Sequence, residues 1–155
     1  MIPQSDAKRK YPRFPRIGVG ALVFHDDQFL LVKRGQEPQK GMWTVPGGLI
    51  ELGEKIEDAL SRELKEECGV TVRDITFLSQ FEFIENDNEG RVRYHYVVLE
   101  FFADYLSGQL CAGDDCVQAL WFDHVDVDDL AISESTLCLI EKALSARRNL
   151  RIQGN

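Results

Sequence analysis

The spacing of apolar residues divides the chain into strand-like and helix-like segments. Five segments are rich in β-branched and aromatic residues, a composition typical of strands. They are residues 17–24, 29–33, 70–84, 92–105 and 118–123. Polar turns at 25–28 and 85–90 separate neighbouring strands, and we expect a break near Asp74 within the third strand. This pattern predicts at least one sheet.

A helix is predicted over residues 57–68, which contain no Gly or Pro and are rich in strong helix formers. Ile56, Leu60 and Leu64 recur at helical spacing and form an apolar stripe, which we expect to face the core. Gly69 follows directly and suits a left-handed C-terminal cap. The segment therefore predicts an amphipathic helix between strands.

A second amphipathic helix is predicted over residues 135–146, with Ser133 or Ser135 as its N-terminal cap. Residues 126–130 predict one helical turn before it. Strands grouped around one central helix, with another helix at the end, indicate a mixed α/β domain.

Three carboxylates on the first helix suggest more than a solvated surface. On a helical wheel Glu63 and Glu67 point along the edge of the apolar stripe, and Glu66 lies on its flank. Unpaired carboxylates there repel one another and resist loss of water, and a divalent cation relieves both costs. Glu-rich helices are also commonly plain soluble surfaces, and Arg62 can pair with Glu66 within the helix, so part of the pattern has a purely structural explanation.

The segment GMWTVPGG, residues 41–48, precedes that helix and adds a second feature. Gly47 and Gly48 allow a tight turn and a close approach of backbone to a ligand. A free carbonyl oxygen there would be a further ligand for a cation. Oxygen-only ligation suits Mg²⁺ or Mn²⁺.

The glycine segment and the acidic helix together resemble the Nudix box, which combines glycine, glutamate, arginine and aliphatic positions at set intervals. Every fixed position is met, by Gly48, Glu54, Arg62, Glu63, Leu64, Glu66, Glu67, Gly69 and Val70. The similarity extends over residues 18–121. Four segments, RIGVGALVF, LLVKRG, GMWTVPGGLIELGE and GDDCVQALWF, resemble the bacterial branch often assigned as ADP-ribose pyrophosphatases.

The resemblance implies a fold and a metal site. The expected fold is α/β, a Nudix-type α/β/α sandwich with a mixed central sheet. Glu66 and Glu67 would be the main ligands of Mg²⁺ or Mn²⁺, helped by the carbonyl of Gly47. Glu63 would be a further ligand, or would orient or deprotonate the attacking water.

Other positions follow from the same resemblance. Glu54 and Gly48 would support the metal site, and Arg62 would hold the glutamates in place. Family members differ in their general base, and some use an acid on a later loop. Asp114 and Asp115, ahead of Trp121, are the candidates of that kind here, with Asp115 our choice.

A separate acidic group, Glu82, Glu85 and Asp87, is a weaker candidate for the later-loop base and is expected to be a solvated turn.

The expected reaction is metal-dependent hydrolysis of a diphosphate linkage in a nucleoside diphosphate joined to another group. With ADP-ribose the products would be AMP and ribose 5-phosphate. Two alternatives stay open: a pyrophosphohydrolase of nucleoside triphosphates, including damaged ones, and a Nudix sensor that binds a nucleotide without cleaving it. The complete box counts against the sensor.

Composition limits the remaining choices. The 155 residues are 44% hydrophobic and 28% charged, as in an ordinary globular protein, and we expect a basic tail over 1–15 and one domain over 16–150. The tail is expected mainly to add solubility, and contact of its basic residues with a substrate phosphate is the alternative. A net charge of −8 argues against a nucleic-acid surface but not against a small nucleotide bound through a metal.

The sequence says less about cellular location and oligomeric state than about fold. No apolar run approaches the roughly 20 residues of a membrane span, and no signal peptide is evident, so a cytoplasmic location is expected. The four cysteines include no C-x-x-C pair, which disfavours a zinc ribbon. A homodimer is compatible with these features, but the sequence carries no evidence on the oligomeric state.

Overall fold

A computed structural model describes residues 9–113 and 116–154. Within these ranges no helix is long and apolar enough to span a membrane. The elements are β1 Arg16–His25, β2 Gln28–Arg34, β3 Trp43–Thr44, β4 Gly47–Leu49, α1 Ile56–Cys68, β5 Val70–Asn86, β6 Val92–Gly108, β7 Cys116–Phe122, a 3₁₀ helix His124–Val127 and α2 Glu134–Gln153.

Seven strands form one mixed sheet. The main order is β3-β2-β1-β6-β5, while β4 pairs with β1 and β7 pairs with β2. β1 and β6 are parallel, and the other pairs are antiparallel. β1 pairs with β2 only near its end, at Phe24 and His25, and with β4 near its start, from Gly18 to Gly20. The two strands diverge there, and β4 occupies the gap.

The two helices cover opposite faces of the sheet, because successive side chains of β1 point to opposite sides. Val19, Ala21 and Val23 belong to one buried cluster with Leu60 and Leu64 of α1. The intervening β1 residues Leu22 and Phe24 belong to a second cluster with Ile140 and Ala143 of α2. The predicted α/β/α sandwich with a mixed sheet is therefore confirmed.

The expected burial of Ile56 is wrong. Ile56 is 42% exposed, whereas Leu60, Leu64 and Cys68 are fully buried. Ile56 is the first residue of α1, so it lies at the end of the apolar stripe, one turn before the buried Leu60. The predicted cap is present: Gly69 has φ 74° and its N–H donates to the Lys65 carbonyl at 3.0 Å.

Most other local predictions agree with the structure to within a few residues, but α2 was predicted to end at residue 146 and continues to Gln153. Asp74 has φ 54°, and the β5–β6 register shifts between Arg73 and Thr76, so the expected break is present. The Ser133 hydroxyl caps α2 by accepting from the Thr136 N–H at 3.3 Å. The short strands β3 and β4 were not predicted. The boundaries of the basic tail and of the domain at residues 15, 16 and 150 stay predictions.

Candidate active site

The paired glycines form a strand, not the tight turn expected from the sequence. Gly47 and Gly48 pair with Gly20 and Val19 of β1. A β-carbon at Gly47 would overlap the Val19 carbonyl oxygen, and one at Gly48 would overlap the carboxylate of Glu63. Glycine is needed here because β4 lies directly between β1 and the acidic side chains of α1.

Glu67 is joined to β4 by a hydrogen bond. The Gly47 N–H donates to Glu67 Oε2 at 2.7 Å. An extended residue points its N–H and C=O to the same side of the strand, so the Gly47 carbonyl faces α1 as well. The loop and the helix of the box therefore present oxygen atoms toward the same space.

Arg62 binds the remaining box carboxylates. Its Nε and Nη2 donate to the two carboxylate oxygens of Glu54 at 2.7 and 2.8 Å. Nη1 donates to Glu63 Oε1 at 2.9 Å and to Glu66 Oε2 at 3.3 Å. Nη2 also donates to the Leu49 carbonyl at 3.1 Å, which joins the arginine to the end of β4.

These contacts give neighbouring acids different proton affinities. The hydrogen bonds from Arg62 lower the pKa of Glu54 to about 2. Burial raises the pKa of Glu63, and the bond from Arg62 opposes that rise only in part. Glu54 is therefore a fixed anion that positions Arg62, while Glu63 is a carboxylate with a stronger tendency to accept a proton.

A cavity of about 560 Å³ lies beside this network. We call one side of it the acidic wall, formed by Gly47, Gly48, Glu63, Glu66 and Glu67. The structure thus brings five of the predicted site residues together around one space. Glu54 does not line the cavity and acts through Arg62. Glu51, to which the sequence analysis assigned no role, lines it as well.

A second part of the cavity, which we call the aromatic end, is formed by Phe81, Phe83 and Tyr96. Phe83 of β5 stands opposite Tyr96 of β6 in the antiparallel register, and Phe81 stands opposite Val98. Sequence reasoning could not choose among the aromatic residues. The available signal was the spacing of Phe81 and Phe83, which places both on one face of a strand.

Arg34 also lines the cavity and was missed by the sequence analysis as a site residue, although it lies in the quoted LLVKRG segment. Its Nε donates to the Pro38 carbonyl at 2.6 Å. Burial lowers the pKa of Arg34, and the nearby carboxylate of Glu67 opposes that change. A cation directly after a buried strand was the signal that could have identified it.

Glu100 was missed too. It lines the cavity from β6, and its carboxylate accepts from the Ser79 hydroxyl at 3.2 Å. Burial raises its pKa. A lone acid within the apolar run VVLEFF was the sequence signal.

The later acidic candidates fall into two groups. Asp115, the predicted later-loop acid, lies outside the described residues, as does Asp114. In the second group Glu82 and Glu85 lie on β5 and Asp87 lies in the β5–β6 turn, and none of the three lines the cavity. Asp87 pairs with Arg91 at 2.9 Å, and Glu85 pairs with Arg93 at 3.5 Å. These pairs give Asp87 and Glu85 a structural role.

The donor atoms of the acidic wall suit a hard divalent cation, since they are carboxylate and carbonyl oxygens. Within residues 9–113 and 116–154, no three His, Cys, Asp or Glu side chains are grouped as ligands of one ion. Glu63 and Glu66 instead bind Arg62, and Glu67 binds the Gly47 N–H. An ion would replace some of these hydrogen bonds, so the residues fit a metal by chemistry and by location.

The sequence profile of the NUDIX domain matches residues 14–139, most of the chain. The chain belongs to the Nudix family. An ADP-ribose pyrophosphatase of Methanocaldococcus jannaschii is 33% identical over 139 residues, which are 88% of this chain and 79% of that protein. The NAD-capped RNA hydrolase NudC of Vibrio atlanticus is 31% identical over 90% of this chain, but the match spans only 52% of NudC.

Solved Nudix structures share the fold. A MutT NUDIX hydrolase from Burkholderia pseudomallei superposes with a TM-score of 0.72 at 30% identity, covering 84% of this chain and 98% of that one. The NUDIX domain of Shewanella oneidensis NrtR, solved in complex with ADP-ribose, has a TM-score of 0.71 at 26% identity and covers 86% and 89%. These matches confirm the predicted family, and the chain is a Nudix hydrolase by its relatives.

Proposed function

We propose that this Nudix protein hydrolyses the diphosphate linkage of ADP-ribose, with Mg²⁺ or Mn²⁺, to AMP and ribose 5-phosphate. The supporting observation is one cavity that combines an acidic wall, the half-buried Arg34 and an aromatic end. A nucleoside diphosphate sugar carries the matching parts: a metal-binding diphosphate, anionic oxygens and a flat base.

The residues that would hold the metal are Glu63, Glu66 and Glu67, with the carbonyl of Gly47. Nudix hydrolases generally use divalent metals. When bound, the ion would neutralise charge on the diphosphate and lower the pKa of a water.

Glu63 is our candidate for the proton acceptor. Its raised pKa makes it a better base than an exposed glutamate, and Arg62 orients it through a 2.9 Å hydrogen bond. The carboxylate would take a proton from water as the water oxygen bonds to one phosphorus. The bond from that phosphorus to the bridging oxygen breaks, and the other phosphate leaves with that oxygen. Asp115 is the alternative base.

Substrate placement would follow from the rest of the cavity. Arg34 would lie against phosphate oxygens, and the faces of Phe81, Phe83 or Tyr96 would stack on adenine. The similarity to the M. jannaschii ADP-ribose pyrophosphatase and to an ADP-ribose-bound Nudix domain supports this ligand.

A nucleoside triphosphate pyrophosphohydrolase is the second candidate. The acidic wall suits this reaction as well, because a triphosphate also carries a diphosphate linkage that a metal can bind. The two reactions differ in their products, since cleavage of a triphosphate releases pyrophosphate and cleavage of ADP-ribose releases none.

A substrate panel separates these activities. Purified protein would be incubated with ADP-ribose, NADH, ATP and 8-oxo-dGTP, each with Mg²⁺, with Mn²⁺ and with EDTA, and the products separated by ion-exchange chromatography. We expect the highest kcat/KM for ADP-ribose, equal amounts of AMP and ribose 5-phosphate, and no turnover in EDTA. A preference for a triphosphate with pyrophosphate release would replace the ADP-ribose assignment, and full turnover in EDTA would refute the metal requirement.

A further inference from the structure

We propose that Arg9, from the basic segment ahead of β1, is a substrate-positioning residue that binds the diphosphate from the side facing the acidic wall. This inference rests on the proposed function, because it assigns a contact to the same cavity. It gives a specific role to a segment that composition alone presents as a solubilising tail.

The first observation is the environment of the Arg9 side chain. Arg9 lines the cavity, and its Nε is buried without a hydrogen-bond partner among the residues that the structure describes. A buried guanidinium N–H with no acceptor is costly, so such groups normally meet a partner or a ligand. The cavity is the space in which Arg9 would find one.

The second observation is the charge around Arg9. Arg9 lines the same cavity as Glu63 and Arg34 and lies near enough to both for its positive charge to act on them. Two arginines are therefore close together beside an acidic wall. Two cations side by side repel each other, and a diphosphate lying between them and the metal-binding carboxylates would remove that repulsion.

The third observation is the anchoring of the segment that carries Arg9. Two residues later, the Tyr11 N–H donates to the Arg93 carbonyl at 2.8 Å. The Tyr11 hydroxyl donates to Asp87 Oδ2 at 3.0 Å, and the Arg91 guanidinium lies 5.2 Å from the centre of the Tyr11 ring. These contacts hold the segment on the β5–β6 ribbon, so Arg9 reaches the cavity from a supported backbone.

The turn that contains Asp87 holds its carboxylate in position to accept the hydrogen bond from Tyr11. Its Oδ1 accepts from the N–H groups of Glu89 and Arg91, both at 2.9 Å. Asp87, which was expected to belong to a solvated turn, thus supports the segment ahead of β1 through its bond with Tyr11. The alternative role for Arg9 is structural, as a counter-ion that only offsets the charge of Glu63.

The experiment compares phosphate-bearing and phosphate-free ligands in Arg9→Gln. Steady-state kinetics with ADP-ribose and Mg²⁺ are expected to show a KM raised about 10-fold with kcat changed less than about 3-fold. Calorimetric titration with α,β-methylene-ADP, whose P–C–P bridge is not hydrolysed, is expected to show a similar loss of affinity, about 1.4 kcal/mol. Adenosine is expected to bind wild type and Arg9→Gln equally.

Three further variants complete the test. Arg9→Lys should recover part of the lost affinity, because it keeps the charge but not the forked geometry. Arg13→Gln removes the same charge from an exposed position of the same segment and should match wild type. Tyr11→Ala should raise the KM as Arg9→Gln does, and combining the two should add little.

Several results would overturn the proposal. Unchanged KM and α,β-methylene-ADP affinity in Arg9→Gln would exclude a phosphate contact, and an equal loss for adenosine would indicate a role in cavity shape only. A wild-type KM in Tyr11→Ala would remove the anchoring step. Wild-type protein that fails to cleave ADP-ribose would instead count against the proposed function, and the α,β-methylene-ADP titration would still decide the role of Arg9.

Discussion

The two parts of the cavity are built in different ways. The acidic wall comes from one continuous stretch of chain, in which Glu63, Glu66 and Glu67 follow β4 at helical spacing. The aromatic end and the arginines near it come from distant segments of the chain. Phe83 lies on β5, Tyr96 on β6, Arg34 on β2 and Arg9 ahead of β1. The first part supplies charge for chemistry, and the second supplies surface for recognition.

This difference separates catalysis, at the acidic wall, from substrate recognition, at the aromatic end. Glu54, Arg62, Glu63 and Glu66 form one network of short hydrogen bonds, so a change in any of them affects the others. The aromatic side chains meet through strand pairing and make fewer polar contacts. We therefore expect substitutions in the acidic wall to reduce kcat and substitutions at the aromatic end to raise KM.

The largest effect is expected for Glu67→Gln, which removes a metal-ligand charge while keeping the shape of the side chain. We expect kcat/KM to fall by about 1,000-fold or more, about 4 kcal/mol of transition-state stabilisation, with the thermal unfolding temperature nearly unchanged. Asp58→Asn is the matched control, since Asp58 is exposed on the opposite side of α1. Near-normal turnover of Glu67→Gln would contradict the ligand assignment.

Arg62→Met should be the next most severe change, because it leaves Glu54, Glu63 and Glu66 without their common partner. We expect kcat to fall about 100-fold and the free energy of unfolding to fall by about 1–3 kcal/mol. The effect is smaller than for a fully buried pair because the Arg62 side chain is 22% exposed. Kinetics and urea unfolding measure the two losses.

Arg62→Lys tests whether geometry matters beyond charge. A lysine cannot make the two parallel bonds to Glu54, so it should restore little activity. Full recovery in Arg62→Lys would mean that only the positive charge is needed.

Gly48→Ala probes the packing between β4 and α1. The added methyl would overlap the Glu63 carboxylate and displace it from Arg62. We expect kcat to fall about 10- to 50-fold, with a loss of about 1–3 kcal/mol in stability from overpacking. Gly154→Ala is the control, since its methyl would meet only ordinary contacts, the nearest at 3.5 Å. Wild-type kinetics in Gly48→Ala would show that the position of Glu63 is not critical.

Phe83→Ala tests the aromatic end. Loss of a stacking face should raise the KM for ADP-ribose about 10-fold with little change in kcat, within the range of about 1–3 kcal/mol for stacking a base on an aromatic ring. Ile84→Ala removes an exposed apolar residue from the next position of β5 and should leave KM unchanged. A fall in kcat alone for Phe83→Ala would contradict the division between the two parts of the cavity.

The smallest expected effect concerns acid stability. Hydrogen bonds from Arg62 lower the pKa of Glu54 from 4.5 to about 2, so Glu54 binds its proton more weakly in the folded protein than in the unfolded chain. Its contribution to stability is therefore present above pH 4.5 and is lost as the pH falls toward 2. Glu54→Gln should flatten the stability profile measured by urea unfolding in that range. An unchanged acid limb would mean that Glu54 is not paired in solution.

Local pattern was sufficient for the helices and for most strands. The apolar spacing of residues 57–68, the cap at Gly69 and the break at Asp74 are all present, because each depends on residues adjacent in the chain. The spacing of the box carboxylates was also readable for that reason, since one helix sets their relative directions. The exposure of Ile56 was not readable, because helical period does not show whether the sheet extends far enough to cover the first turn of the helix.

The sequence by itself determined the family, the fold class and the residues of the acidic wall. Only the tertiary structure placed β4 as a strand against β1 and brought Phe83, Tyr96, Arg34 and Arg9 to one cavity. The physical reason is that sheet pairing joins segments far apart in the chain. A strand's sequence shows which face its side chains share, but not which strand lies beside it or what lies across the space it lines.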